Sequence, residues 1–172
     1  MAEPISLRDY QRGLSAQLAD LQTLRPASKL GIMAGSRRWL VDLIDTGEVI
    51  PLPAIATVPL TREWYAGVAN VRGNLYSVID FSAFLGGAPA VRSDSSRLLL
   101  LSDKYRVGCA LLIDTVVGLR NPQLFVLATD INDPAPWVAA HYIDRDKQLW
   151  AELAVDQLIQ HPDFMDVGAR TA

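Results

Sequence analysis

From Gly67 to Asp80 the chain runs as an apolar strand, breaks at Arg72-Gly73-Asn74 and resumes as a strand. An interruption of that kind leaves little besides an antiparallel hairpin. Gly73-Asn74 tolerates the positive φ that a tight turn requires, and Leu75, Ser77 and Ile79 alternate with Tyr76, Val78 and Asp80 at the two-residue period of a strand. Arg72 therefore falls at the turn. A guanidinium beside a glycine, where no side chain crowds it, suits docking on a partner's carboxylate or carbonyl groups; a solvated turn arginine is the plainer alternative.

The hairpin has company on both sides. Leu30 to Ala34, the turn Gly35-Ser36, and Arg37 to Leu43 with Trp39, Val41 and Leu43 alternating read as two more short strands. Pro51-Leu52-Pro53, Ile55 to Pro59 and a short segment from Thr61 to Ala66, with Thr61 as a possible cap, lead into the hairpin. Phe81 to Leu85 reads as a helical turn ending at Gly86-Gly87. Residues 86–96 are the one stretch with linker chemistry. Beyond it, Arg97 to Ser102 and Tyr105 to Ile113 form a hairpin about Asp103-Lys104, followed by Val116 to Leu119 and a strand near Leu124 to Leu127. Ala140 to Ile143 and Gln148 to Leu153 flank a turn at Asp144-Arg145-Asp146, and Val155 to Gln160 reads as a helix.

Leu43-Ile44-Asp45-Thr46 recurs as Leu112-Ile113-Asp114-Thr115, and each half later carries a hairpin followed by a short apolar helical segment. The repeated order of elements suggests two related small barrels with a groove between them. Ahead of these strands, Ser6 can cap a helix with Leu7, Leu14, Leu18, Leu21 and Leu24 on one face, closed by Pro26. Such a face packs either on its own protein or on a partner.

A chain of 172 residues buries roughly 70% of its unfolded surface, enough for one substantial core or two small ones that share an interface. The net charge of −3 argues against nucleic acid, which needs a clustered positive surface. Residues 97–172 hold seven basic and ten acidic side chains, and so carry the whole excess. The single cysteine, Cys109, lies in the apolar run Val107 to Ile113 and reads as a small core residue. No stretch approaches the length of a membrane span and the first residues do not resemble a secretion signal, so a reduced cytoplasmic location is expected.

A search for catalytic chemistry finds no phosphate-binding glycine loop, no nucleophile elbow and no His or Cys pair at zinc-ligand spacing. His141 and His161 are the only histidines, and neither is flanked by a nucleophile arrangement. His141 reads as a strand or surface residue and His161 as a helix terminus. Asp130, Asp133, Asp144 and Asp146 lack the glycine and terminal glutamate of a calcium loop and read as solvated. No enzyme activity, metal or cofactor is expected.

Gly47-Glu48-Val49, then Gly67-Val-Ala-Asn-Val-Arg-Gly73 followed by Val78-Ile79-Asp80, and Val107 to Asp114 in the second half together resemble the CheW family of chemotaxis coupling proteins. The likeness covers roughly residues 29–160, with 1–28 as an N-terminal helical extension and 161–172 as a C-terminal tail. Residues 29–88 and 97–160 are the approximate, intertwined barrel halves. The long string from Val58 to Gly86 is similar to the branch serving type IV pilus chemosensory systems. Ser77 and Phe81 depart from the commoner proline and leucine of the family.

The resemblance implies a mainly β fold of two SH3-like five-stranded barrels packed together, with short connecting and C-terminal helices. It implies a non-enzymatic adaptor that contacts a methyl-accepting chemoreceptor's cytoplasmic tip and the regulatory domain of a CheA-type histidine kinase, in receptor arrays at the inner membrane. Twitching motility is the expected output; flagellar chemotaxis or a nucleic-acid-binding small barrel are the alternatives. Glu48, Asn70, Arg72 and Gly73 match motif positions for receptor binding, with Glu48 placed to pair with Arg72. Val68 and Val71 line or support the receptor groove, or are simply core residues.

Overall fold

The computed structural model describes residues 28–169. The helix expected over residues 7–24 lies outside them. The described chain is mainly β: β1 (Lys29–Ala34), β2 (Arg37–Asp42), β3 (Thr46–Pro51), β4 (Ile55–Ala56), β5 (Tyr65–Val71), β6 (Asn74–Asp80), β7 (Arg97–Leu101), β8 (Cys109–Ile113), β9 (Thr115–Arg120), β10 (Val126–Leu127), β11 (Val138–Ile143) and β12 (Leu149–Leu153). Three short helices complete it: α1 (Phe81–Phe84), α2 (Val155–Gln160) and α3 (Pro162–Met165).

The strands form two sheets, ordered β10-β11-β12-β2-β1-β9 and β3-β7-β8-β6-β5-β4. Each has five longer strands and a two-residue strand at one edge, which is the pair of small SH3-like barrels expected. Each sheet also draws strands from both sides of residues 86–96. Four pairings make the joins: β2 with β12 and β6 with β8 are parallel, and β1 with β9 and β3 with β7 are antiparallel.

Alternation along the central strands decides where the core sits. Ile79, Leu99, Leu101, Leu111 and Ile113 face the first sheet and meet Ile32, Trp39, Val41, Ala151 and Leu153 in one core, closed by Leu158 of α2. The alternate residues Val78, Leu98, Leu100, Ala110 and Leu112 fill a second core with Ala69 and Val71. β7 and β8 are thus buried on both faces and read as unbroken apolar runs. Each fully buried Leu or Ile contributes about 1.5–3 kcal/mol. Cys109 belongs to the shared core at 4% exposure, and burial pushes its thiol up to about 12, which leaves it inert at neutral pH.

Several local readings change. Residues 61–64 make a turn, not a helical start: the Thr61 hydroxyl donates to the Val58 carbonyl, and β5 begins at Tyr65. Tyr105 ends a short 3-10 turn, its hydroxyl donating to Asp45, so β8 starts later, at Cys109. Pro122–Leu124 forms another such turn, capped by Asn121, and only Val126–Leu127 remain as strand.

His141 lies on β11 at 5% exposure, with its Nε2 2.8 Å from Arg37 Nη2 and 3.5 Å from Asp133 Oδ2. Arg37 also pairs with Asp133 and lies over the Trp39 ring. Burial, and then Arg37, hold the imidazole below its ordinary range, more than Asp133 raises it. The folded state therefore binds this proton later than the unfolded chain does. Stability from this site is complete above the ordinary histidine pKa of about 6.5 and declines as pH falls below it. Thermal melts of the wild type should drop between pH 7 and 5.5, with a shallower drop for His141→Gln; equal slopes would show that His141 does not carry the effect.

Candidate interaction site at the hairpin turn

Register places the turn. Val71 pairs with Asn74, leaving Arg72 and Gly73 as the two linking residues, at φ +53° and +89°. That is the two-residue turn whose twist suits antiparallel strands. The left-handed pair is therefore Arg72-Gly73, not Gly73-Asn74. The reason is burial: sliding the turn by one residue would take Val71, 9% exposed, out of the second core and invert the faces of the strand.

A left-handed arginine carries a cost of about 1–2 kcal/mol. Local bonds offset it. Asn70 Oδ1 accepts from the Gly73 N–H at 2.9 Å, and Arg72 Nη2 donates to Glu48 Oε1 at 2.6 Å. Glu48 stands on β3 where the register with β7 shifts between Thr46 and Val49, an irregularity that accompanies its turn toward the hairpin.

Arg72 and Glu48 are 74% and 44% exposed, so the pair contributes at most about 1 kcal/mol to stability. Its value is geometric. It stands at a cavity of about 320 Å³ lined by Gly47, Val71, Tyr76 and Leu100 among others, an apolar floor under a charged rim. The guanidinium keeps N–H donors beyond the one given to Glu48, so it can take a partner's carboxylate or carbonyl.

Of the expected residues, Glu48, Asn70, Val71, Arg72 and Gly73 converge here. Val71 forms floor and core at once. Val68 does not join them: it is half-buried opposite Ser77 and is not part of the cavity wall. Asp103, in the turn after β7, lines the same cavity, and sequence reasoning missed it. Its membership follows from the β3–β7 pairing, for which no local pattern gives a signal.

Neither histidine lines this cavity. His141 is committed to Arg37, and His161 joins α2 to α3, its ring meeting Trp137 at 4.9 Å. Among the described residues no group of three or more His, Cys, Asp or Glu could hold a metal ion, and no helix is long and apolar enough to cross a membrane.

Comparison with known proteins gives three findings. The CheW-like domain family matches residues 29–163. The chain is 30% identical over 166 residues to the protein PilI of Pseudomonas aeruginosa, a match that covers 94% of this chain and 89% of that protein. The crystal structure of the scaffolding protein TtCheW from Thermoanaerobacter tengcongensis superposes with a TM-score of 0.61 at 20% identity, over 74% of this chain and 88% of that one. At that identity the last likeness speaks for the fold.

Proposed function

The chain belongs to the CheW-like domain family, and on that premise we propose that it is a non-enzymatic adaptor joining a methyl-accepting chemoreceptor's cytoplasmic tip to the regulatory domain of a CheA-type histidine kinase. Its likeness to PilI supports a role in a type IV pilus chemosensory system that governs twitching motility. It works in the cytoplasm, at receptor arrays on the inner membrane. Residues 29–160 form the coupling domain, with 1–28 and 161–172 as extensions.

The observation that carries this reading is the Glu48–Arg72 pair, exposed at the mouth of an apolar-floored cavity on a rigid hairpin. A pair in that position adds little stability and selects a partner's register by charge. Signalling then consists of shifting which receptor and kinase geometries are stabilised, with coupling free energies of about 1–3 kcal/mol.

Affinity capture with Arg72→Glu tests it. The variant should lose receptor capture by tenfold or more while it retains the kinase and melts within a few degrees of wild type. The exchange Glu48→Arg with Arg72→Glu should restore the internal ion pair without restoring capture. Capture of neither partner by the wild type would refute the adaptor role, and a matching loss of stability in Arg72→Glu would make the arginine structural.

A further inference from the structure

A second cavity lies apart from the hairpin, on the first sheet. β9 ends at Arg120, and the chain from Asn121 to Phe125 leads across to β10, so the connection between the two edge strands of that sheet runs along the cavity. The turn between β11 and β12 also lines it, through Asp144, Arg145 and Asp146. The volume is about 180 Å³. Small-molecule sites run to roughly 300–1,000 Å³, so this space suits one side chain better than a whole small-molecule ligand.

Arg120 is the group that the fold leaves incomplete. Its guanidinium carbon lies 5.3 Å from the centre of the Trp150 ring, and Trp150 is buried. Stacking engages a face of the guanidinium and leaves the N–H donors around its edge unspent. Nε is buried without a hydrogen-bond partner, and the ion pairs among the described residues do not include Arg120. Buried donors are almost always paired, so one left over beside a cavity calls for a partner from outside.

The neighbouring carboxylates do not fill that role. Asp144 is spent on its own turn: one oxygen accepts from the Asp146 and Gln148 N–H groups at 2.9 and 2.8 Å, and the other accepts from the Trp150 indole N–H at 2.8 Å. Asp144 thus holds the aromatic platform on which Arg120 rests. Two further donors line the cavity. Arg145 is exposed, and Asn121 uses its oxygen to accept from the Gln123 N–H at 3.0 Å, which leaves its NH2 group available. Leu119 and Leu124, 66% and 41% exposed, add apolar surface beside Phe125. An arginine edge takes a carboxylate through two parallel hydrogen bonds, and apolar contacts around such a pair shut out water. The exposed Asp146 disfavours a run of acids, so the arrangement selects a lone carboxylate among apolar neighbours.

We propose that this cavity receives one glutamate or aspartate side chain of a docking protein, set between apolar residues, with Arg120 as its anchor. The contact is separate from the Glu48–Arg72 site and does not depend on the coupling role, so either can fail alone.

Nuclear magnetic resonance on the full chain tests it, with the blocked tripeptide acetyl-Leu-Glu-Leu-amide as probe and its glutamine counterpart as control. The glutamate peptide, at millimolar concentration, should shift the Arg120 Nε–H and Trp150 indole N–H resonances, and the glutamine peptide should bind at least fivefold more weakly. Arg120→Lys keeps the charge and loses the planar fork, and should also bind the glutamate peptide at least fivefold more weakly; unchanged amides of β7 and β8 would show that its core persists. Arg145→Ala, at an exposed position, should weaken binding at least twofold without touching the core. Unmoved Arg120 and Trp150 resonances, equal binding of the two peptides, or undiminished binding by a folded Arg120→Lys would overturn the proposal. Glutarate bound as tightly as the glutamate peptide would assign the cavity to a free organic acid and overturn it equally.

Discussion

Gly67→Ala is expected to yield little or no folded protein. Gly67 has φ +130°, and a Cβ there would lie 2.1 Å from the Ala56 carbonyl oxygen and 2.8 Å from its carbon. Both atoms are backbone, so no rotamer change relieves the clash; β4 would have to leave β5. The expected loss exceeds about 4 kcal/mol, set against a total stability of about 5–15 kcal/mol for a domain. Gly73→Ala makes the useful contrast, because a Cβ there meets nothing within 4 Å although φ is +89°. Only the backbone penalty applies, about 1–2 kcal/mol. Urea unfolding of both variants checks the pair, and similar losses would mean that the β4–β5 approach is not what fixes Gly67.

Phe164→Ala should cost about 3–5 kcal/mol. Phe164 is 4% exposed on α3, stacked against Trp64 at 6.4 Å and edge-on to Phe84 at 5.3 Å. The chain on either side is tied down: the Arg62 N–H donates to the Val167 carbonyl, the Ala169 N–H donates to the Leu60 carbonyl, and Arg62 pairs with Asp166 at 2.7 Å. Removing the ring leaves a hole beside Trp64, in the turn that leads into β5, and Phe84 of α1, both packed against the core, so collapse fills it only in part. Met165→Ala, at a position 60% exposed, should change stability by less than about 0.5 kcal/mol. A loss below about 1 kcal/mol for Phe164→Ala would show that the C-terminal segment lies on the fold without supporting it.

The features legible in the sequence were those fixed by neighbours along the chain. The β5–β6 hairpin, the Gly35-Ser36 turn, the helical turn after Asp80 and the burial of Cys109 all follow from local pattern. Asp80 illustrates why: its carboxylate accepts from the Ala83 N–H and caps the turn that its own position predicts. The exact turn pair did not follow, because glycine and asparagine both accept a left-handed backbone and only the burial of Val71 decides between registers. Alternation tells which face a residue takes and is silent on which strand lies beside it. The pairing of β2 with β12, more than a hundred residues away, was therefore invisible. The site divides in the same way. The Glu48–Arg72 pairing follows from the place of Glu48 at the edge of the first strand group, Val68 looks equivalent to Val71 until the cavity wall is known, and Asp103 enters only through a long-range contact.

The exchange of strands across residues 86–96 constrains the chain while it is being made. When the ribosome has completed residue 88, β3 has no partner, and β1, β2 and β6 each lack a neighbour that is still to be translated. Unpaired strand edges of this kind recruit other chains. Translation at roughly 5–20 residues per second needs about 3–13 s to supply the strands through β12. The second sheet has all its strands once β8 ends at residue 113, about 1–5 s into that interval, but the first stays incomplete to its end, at a stage when a chain built from two consecutive, self-contained barrels would already have its first half safely shut.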